Sequence, residues 1–154
     1  LKGLLQPVAS AHFAQDESGA AQIEMAVSYT LYFLIMAGII QFCMMVYTYG
    51  VYAEAARAGV RYAVQHGTDS SICSGPSTGC GDSAGANVVT AVNSYAAQYV
   101  SSIQGMSVQA NYPDSSSAPG ARVVVKITYT YAPFFTYKGF NQAFQIAAQG
   151  RILY

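Results

Sequence analysis

Tryptophan is absent from this chain and charge is scarce: 9% of residues are Asp, Glu, Lys or Arg, against ~25% in an ordinary soluble domain. Seven basic residues balance seven acidic ones, so no net charge remains. That balance excludes the basic patch a nucleic-acid partner would need, and an acidic solvating tail. Histidine is nearly absent too, with His12 and His66 isolated in sequence. No glycine loop precedes a helix in phosphate-binding form, no nucleophile elbow is present, and no carboxylate pair occupies a strand-end context. Catalysis has no foothold, which points to a non-enzymatic chain with no cofactor and no metal. Proline is missing from residue 8 to residue 75, so nothing there forces a helix to break.

What the chain has instead is apolar surface, at 53% of residues, with thirteen tyrosines and seven phenylalanines. Between Glu24 and Glu54 there is no charge at all. The run exceeds the ~20 apolar residues that cross a bilayer as a helix. Ser28, Thr30, Gln41 and Thr48 interrupt it, and can bond to their own backbone or to neighbouring helices. A signal peptide would have a shorter apolar core followed by a cleavage site, whereas this run continues without a turn through Glu54, Arg57 and Arg61. The pattern predicts one helix over 20–64, roughly 65–70 Å long at 1.5 Å per residue. No single bilayer needs that length, so the part from Tyr52 onward must pack on something else.

From 67 to 85 the composition turns to Ser, Thr, Gly, Asp and Pro, which marks an exposed loop. Asp82 or Ser83 can cap a second helix over 86–102, whose Val88, Val92, Tyr95, Tyr99 and Ile103 form one apolar stripe. After Gly105 the period shifts towards two. A short strand fits 106–112, and Arg122–Tyr131 is the clearest strand, with Val123, Val125, Ile127, Tyr129 and Tyr131 on one face. The tail 141–154 reads as a third strand pairing with it, because a two-stranded hairpin alone is marginal. The expected fold class is α+β: a long N-terminal helix, a shorter second helix and a small antiparallel sheet. Its divisions are a leader-like segment over 1–19, the hydrophobic helix over 20–64 and an extracytoplasmic head over 65–154.

In Gly19–Ala20–Ala21–Gln22–Ile23–Glu24 a glycine lies five residues before a glutamate that opens an apolar helix. The arrangement resembles the processing site of type IV prepilins, where cleavage would fall between Gly19 and Ala20. A plain alternative is a glutamate at headgroup depth, favoured by the helix dipole. The wider pattern adds Gly38–Ile39–Ile40, Ala55–Ala56–Arg57–Ala58–Gly59–Val60–Arg61–Tyr62–Ala63 and the strand-then-proline Arg122–Pro133. Together these segments resemble the TadE-like family of pilus pseudopilins, a pilin-like class. The chain departs from that family at Thr30, where a proline is common, and at Gln41, where an acidic residue is common.

The resemblance implies a structural subunit of a bacterial pilus-like filament. It would be inserted in the inner membrane as precursor and then assembled with copies of itself into an extracellular homopolymer. The alternatives are a minor, membrane-resident TadE-like pseudopilin working with other assembly proteins, and a membrane-anchored adhesion domain. Expected assembly residues are Glu24, Ala55, Arg57, Gly59 and Arg61. A carboxylate among Ile23, Met25 and Val27 is costly unless paired. Its partner would be the amine of a cleaved Ala20 or, with residues 1–19 attached, Lys2 of a neighbour. Ala55, Gly59 and Ala63 recur every fourth residue, which lets two helices approach or merely accommodates the sheet of the same chain. Cys73 and Cys80 share one polar loop, and a disulfide is the default in an exported protein; Cys43 reads as a small buried hydrophobe. Most of the tyrosines read as packing residues.

Overall fold

The computed structural model describes residues 10–100, 105–133 and 142–153, with the side chains of 10–18 excepted. Lys2, Ile103, Asn141, Tyr154 and the His12 side chain, all invoked from sequence, lie outside these, as do residues 1–9 of the leader-like segment. The element order is α1 (Ser10–Gln65), α2 (Ala86–Tyr99), β1 (Met106–Asn111), β2 (Arg122–Tyr131) and β3 (Gln142–Arg151). This is the expected α+β class. Helix α1 begins at Ser10, before the expected residue 20, because no proline or glycine pair interrupts 10–20 and the helix simply continues upstream.

Residue contacts divide the chain into two units, Leu1–Phe42 and Cys43–Tyr154. In the first, the described side chains from Ala20 to Met36 are exposed on every side of the helix. A helix apolar all round has no solvated face, so water is not its natural surrounding. Thr30 donates its hydroxyl to the Ala26 carbonyl at 2.8 Å, which keeps that polar group inside the helix.

The second unit holds the core. From Tyr52 the same helix is buried on one face, through Tyr52, Ala55, Ala56, Val60 and Ala63. Against it pack Val88, Val92 and Ala96 of α2 and Val123, Val125, Ile127 and Ile146 of the sheet. Each buried valine or isoleucine contributes about 1.5–3 kcal/mol relative to exposure. The sheet order is β1-β2-β3, antiparallel throughout. Ile127 pairs Ile146, and Arg122 pairs Arg151. Strand β2 alternates as expected, with Val123, Val125, Ile127 and Tyr131 buried and Tyr129 half-buried.

Two details differ from the sequence reading. The α2 stripe is Val88, Val92 and Ala96, while Tyr99 is exposed, since the helix ends at Tyr99 just where the core stops covering it. The cap residue of α2 is Gly85, at φ 74°, not Asp82 or Ser83. Asp82 nevertheless supplies the acceptor: its carboxylate takes the N–H of Ala86 at 2.6 Å and of Asn87 at 2.8 Å. That satisfies donors which the first turn of any helix leaves free.

Candidate functional site

Residues Ile23 to Tyr49 carry most of the exposed large apolar side chains of the described chain. Ile23, Phe33 and Leu34 are each at least two-thirds exposed, and Leu31, Ile40, Phe42 and Met44 are more than half exposed. The helix reaches a mean hydropathy of 1.9 over its most apolar window, and its length and composition fit a membrane anchor. Glu24 is exposed at the start of this surface. Gly19 and Ala20 lie one helical turn earlier, half-buried and exposed respectively, inside continuous helix. A Cβ at Gly19, Gly38 or Gly50 would meet nothing within 4 Å.

The small residues further along do something else. Ala55 and Ala63 are fully buried, and a Cβ on Gly59 would stand 2.4 Å from Val92 Cγ2. Their face is covered by α2 and β2 of the same chain, so it is not open to a second helix. The expectation that Ala55 and Gly59 belong to an intermolecular contact is corrected accordingly: α2 approaches so closely only because position 59 lacks a side chain. Arg57 and Arg61 are exposed, and Arg57 meets Glu54 at 2.7 Å in an i, i+3 pair open to solvent. Such a pair adds little to stability. Cys43 is exposed, not buried, because no described residue covers that part of α1.

At the junction of bare and covered helix the aromatic residues gather. The Tyr47 hydroxyl donates to the Tyr99 carbonyl at 3.3 Å. Tyr95 and Tyr99 face each other at 5.1 Å, and Tyr49 meets Phe144 edge-on at 6.1 Å. Tyr47, Gly50, Val51, Glu54, Tyr95 and Tyr99 line a shallow groove of about 390 Å³. Sequence reading missed this cluster, since it is built from α1, α2 and β3 together. The packing role expected of the tyrosines holds for Tyr52, Tyr112 and Tyr131, which are buried, and for half-buried Tyr62, Tyr95 and Tyr129. It fails for Tyr29, Tyr32, Tyr47, Tyr49 and Tyr99, each close to half exposed or more.

The far end of α1 carries the cross-linked loop. Cys73 and Cys80 form a disulfide. His66 is engaged elsewhere, its ring stacked 4.0 Å from Tyr62 and its Nδ1 2.8 Å from the Tyr62 carbonyl oxygen. Ser74 Oγ donates to Asp82 at 2.7 Å, and the Tyr112 hydroxyl donates to the Ser74 carbonyl at 3.1 Å. Burial raises the Asp82 carboxyl, but bonds from Ser74 Oγ and from the N–H groups of Asn87, Ala86 and Gly85 outweigh it, and the net shift is downward. These bonds tie the loop to the start of α2; they are structural in character.

No curated protein and no solved structure significantly matches the chain. Residues 19–61 match the model of the family described as TadE-like protein. The match begins at the glycine before Glu24, runs through the bare helix and ends where α1 is buried against the head. Over that helix, the chain is similar to the TadE-like, pilin-related family.

Proposed function

We propose that this chain is a non-enzymatic, pilin-like structural subunit. Its α1 helix first anchors it in the inner membrane and then packs with copies of itself in an extracellular filament. The observation that carries the reading is the apolar helix surface from Met25 to Met36, exposed on every side and free of charge. Among the described residues, none covers it. Surface of that extent needs lipid or other protein around it, and a subunit that moves from membrane to filament uses both in turn.

Glu24 is the residue assigned to register. In a filament core its carboxylate would be desolvated, and an unpaired buried charge costs several kcal/mol. A cation from a neighbouring copy, either the Ala20 amine after cleavage at Gly19 or Lys2, would offset that cost. Glu24→Ala should reduce filament yield several-fold at matched protein levels, while Glu54→Ala, on the surface of the head, should leave it near wild type. Equal yields from wild type and Glu24→Ala would remove Glu24 from assembly.

The second reading is a membrane-resident accessory that primes a pilus made of another subunit. The family match favours it, since it names a TadE-like protein and covers only the helix. Electron microscopy of filaments sheared from cells, with antibody against the head, separates the two. Label along the whole filament supports the structural subunit; label at the tip or base alone supports the accessory.

A further inference from the structure

We propose that the tyrosines of α1 fix the register of the chain in a bilayer, and that the head rests on the lipid interface through Tyr47, Tyr49, Tyr99 and Phe144. This rests on the membrane stage of the reading above and does not depend on filament assembly.

Tyr29 and Tyr32 are exposed near one end of the bare helix, and Tyr47 and Tyr49 near the other. Twenty residues of α-helix, the sequence distance from Tyr29 to Tyr49, rise by about 30 Å, the thickness of a hydrocarbon core. Between them no residue is charged. Thr30 and Thr48 return their hydroxyls to the Ala26 and Met44 carbonyls, each at 2.8 Å. Tyrosine suits the boundary because its ring takes the apolar side and its hydroxyl the wet side. A filament core would need no such spacing between rings; a bilayer imposes it.

The second observation is independent of the helix pattern. At the level of Tyr47 and Tyr49 the head contributes two more aromatic residues, Tyr99 from the end of α2 and Phe144 from the start of β3. Tyr99 is 52% exposed, although it ends an otherwise apolar stripe. The Tyr47 hydroxyl bond to the Tyr99 carbonyl and the Tyr49–Phe144 ring contact hold all four at one level of the helix. An interfacial ring of this kind seats the foot of the head in the headgroup layer. The opposite end, where Ser74 N–H meets the His66 carbonyl and Ile72 is exposed, stands clear of it.

One consequence concerns Glu24. It lies about 7 Å of helix rise beyond Tyr29, within headgroups or water, so in the membrane it needs no partner. It meets a desolvated environment only on leaving the bilayer.

The absence of tryptophan makes the test direct, because one introduced tryptophan reports alone. Single variants Tyr29→Trp, Ile39→Trp, Tyr49→Trp, Tyr99→Trp and Ile72→Trp of the full chain would be reconstituted at low protein-to-lipid ratio. The vesicles are phosphatidylethanolamine and phosphatidylglycerol with acyl chains brominated near the carbonyl or near the methyl end. Ile39→Trp should be quenched several-fold more by deep bromines than by shallow ones. Tyr29→Trp, Tyr49→Trp and Tyr99→Trp should show the reverse, and Ile72→Trp no quenching. Tyr99→Trp keeps the bond from Tyr47, since that bond uses the backbone carbonyl. Should Tyr99→Trp misfold, Phe144→Trp gives the same readout from β3. Shallow quenching at Ile39 would mean the helix lies flat, and no quenching there would mean copies cover it; either overturns the register. Tyr99→Trp and Phe144→Trp indifferent to both lipids would overturn the docking of the head. Filament yield is unaffected by any of these outcomes, so failure here and failure of the structural-subunit reading remain distinguishable.

Discussion

Asp82 and Asp114 show how single carboxylates tie the head together and make it acid-sensitive. Bonds from the Arg122 side chain, and then from the Arg122 N–H, hold the Asp114 carboxyl down to about 2. The guanidinium reaches it at 2.6 Å, which closes the turn between β1 and β2. Asp82 is lowered as well. A folded pKa below the unfolded value of ~3.9 means the unfolded chain binds more protons in that window. The stabilisation is therefore complete above about pH 4 and fades as pH falls towards 2. Urea midpoints of wild type should drop over that interval, and Asp114→Asn should flatten the drop. Asp82→Ala should in addition cost about 1 kcal/mol at neutral pH, because the first turn of α2 loses its acceptor. An unchanged midpoint for Asp82→Ala would show that water replaces the carboxylate without loss.

At the scale of elements, the approach of α2 to α1 depends on Gly59 and that of β3 on Gly150. A Cβ at Gly150 would stand 2.5 Å from Val60 Cγ1. Gly59→Ala should destabilise the head by about 1–3 kcal/mol through overpacking, readable in the same unfolding curves. Gly38→Ala, where a Cβ meets nothing, should leave those curves unmoved and serves as the control. The Cys73–Cys80 loop closes a ring with a sequence separation of 7. Reduction should cost about 2–3 kcal/mol on the chain-entropy account. Intact mass after alkylation, with and without reductant, checks the bond itself: two thiols should become reactive only after reduction, besides Cys43. Free thiols at 73 and 80 in freshly isolated protein would contradict it.

At the scale of the whole molecule, the described buried core begins at Tyr52 and ends at Ile152. The bare helix before it contributes nothing to that core. A fragment starting near residue 50 should therefore fold cooperatively and stay in solution, with its disulfide formed. The full chain should require lipid or detergent. A fragment that unfolds without cooperativity would mean that the upstream helix supports the head. This division of labour matches the reach of the family match, which covers α1 up to residue 61 and leaves the rest of the head outside.

The sequence by itself determined the elements whose signal is local. A charge-free run without proline can only be a long helix, and strict alternation from Arg122 to Tyr131 can only be a half-buried strand. The disulfide was legible for the same reason, with two cysteines in one polar loop. Which face of α1 the head would cover was not legible, because Ala55, Gly59 and Ala63 suit any close approach, whether by another chain or by α2. Only the tertiary structure decided that, by standing Val92 against Gly59. The exposure of Cys43 and of five tyrosines was not legible for a related reason. Apolar character in sequence says that a side chain avoids water, not that its own chain will cover it. Three-dimensional packing alone drew the line at Tyr52, before which α1 is left for other surroundings and after which it belongs to the head.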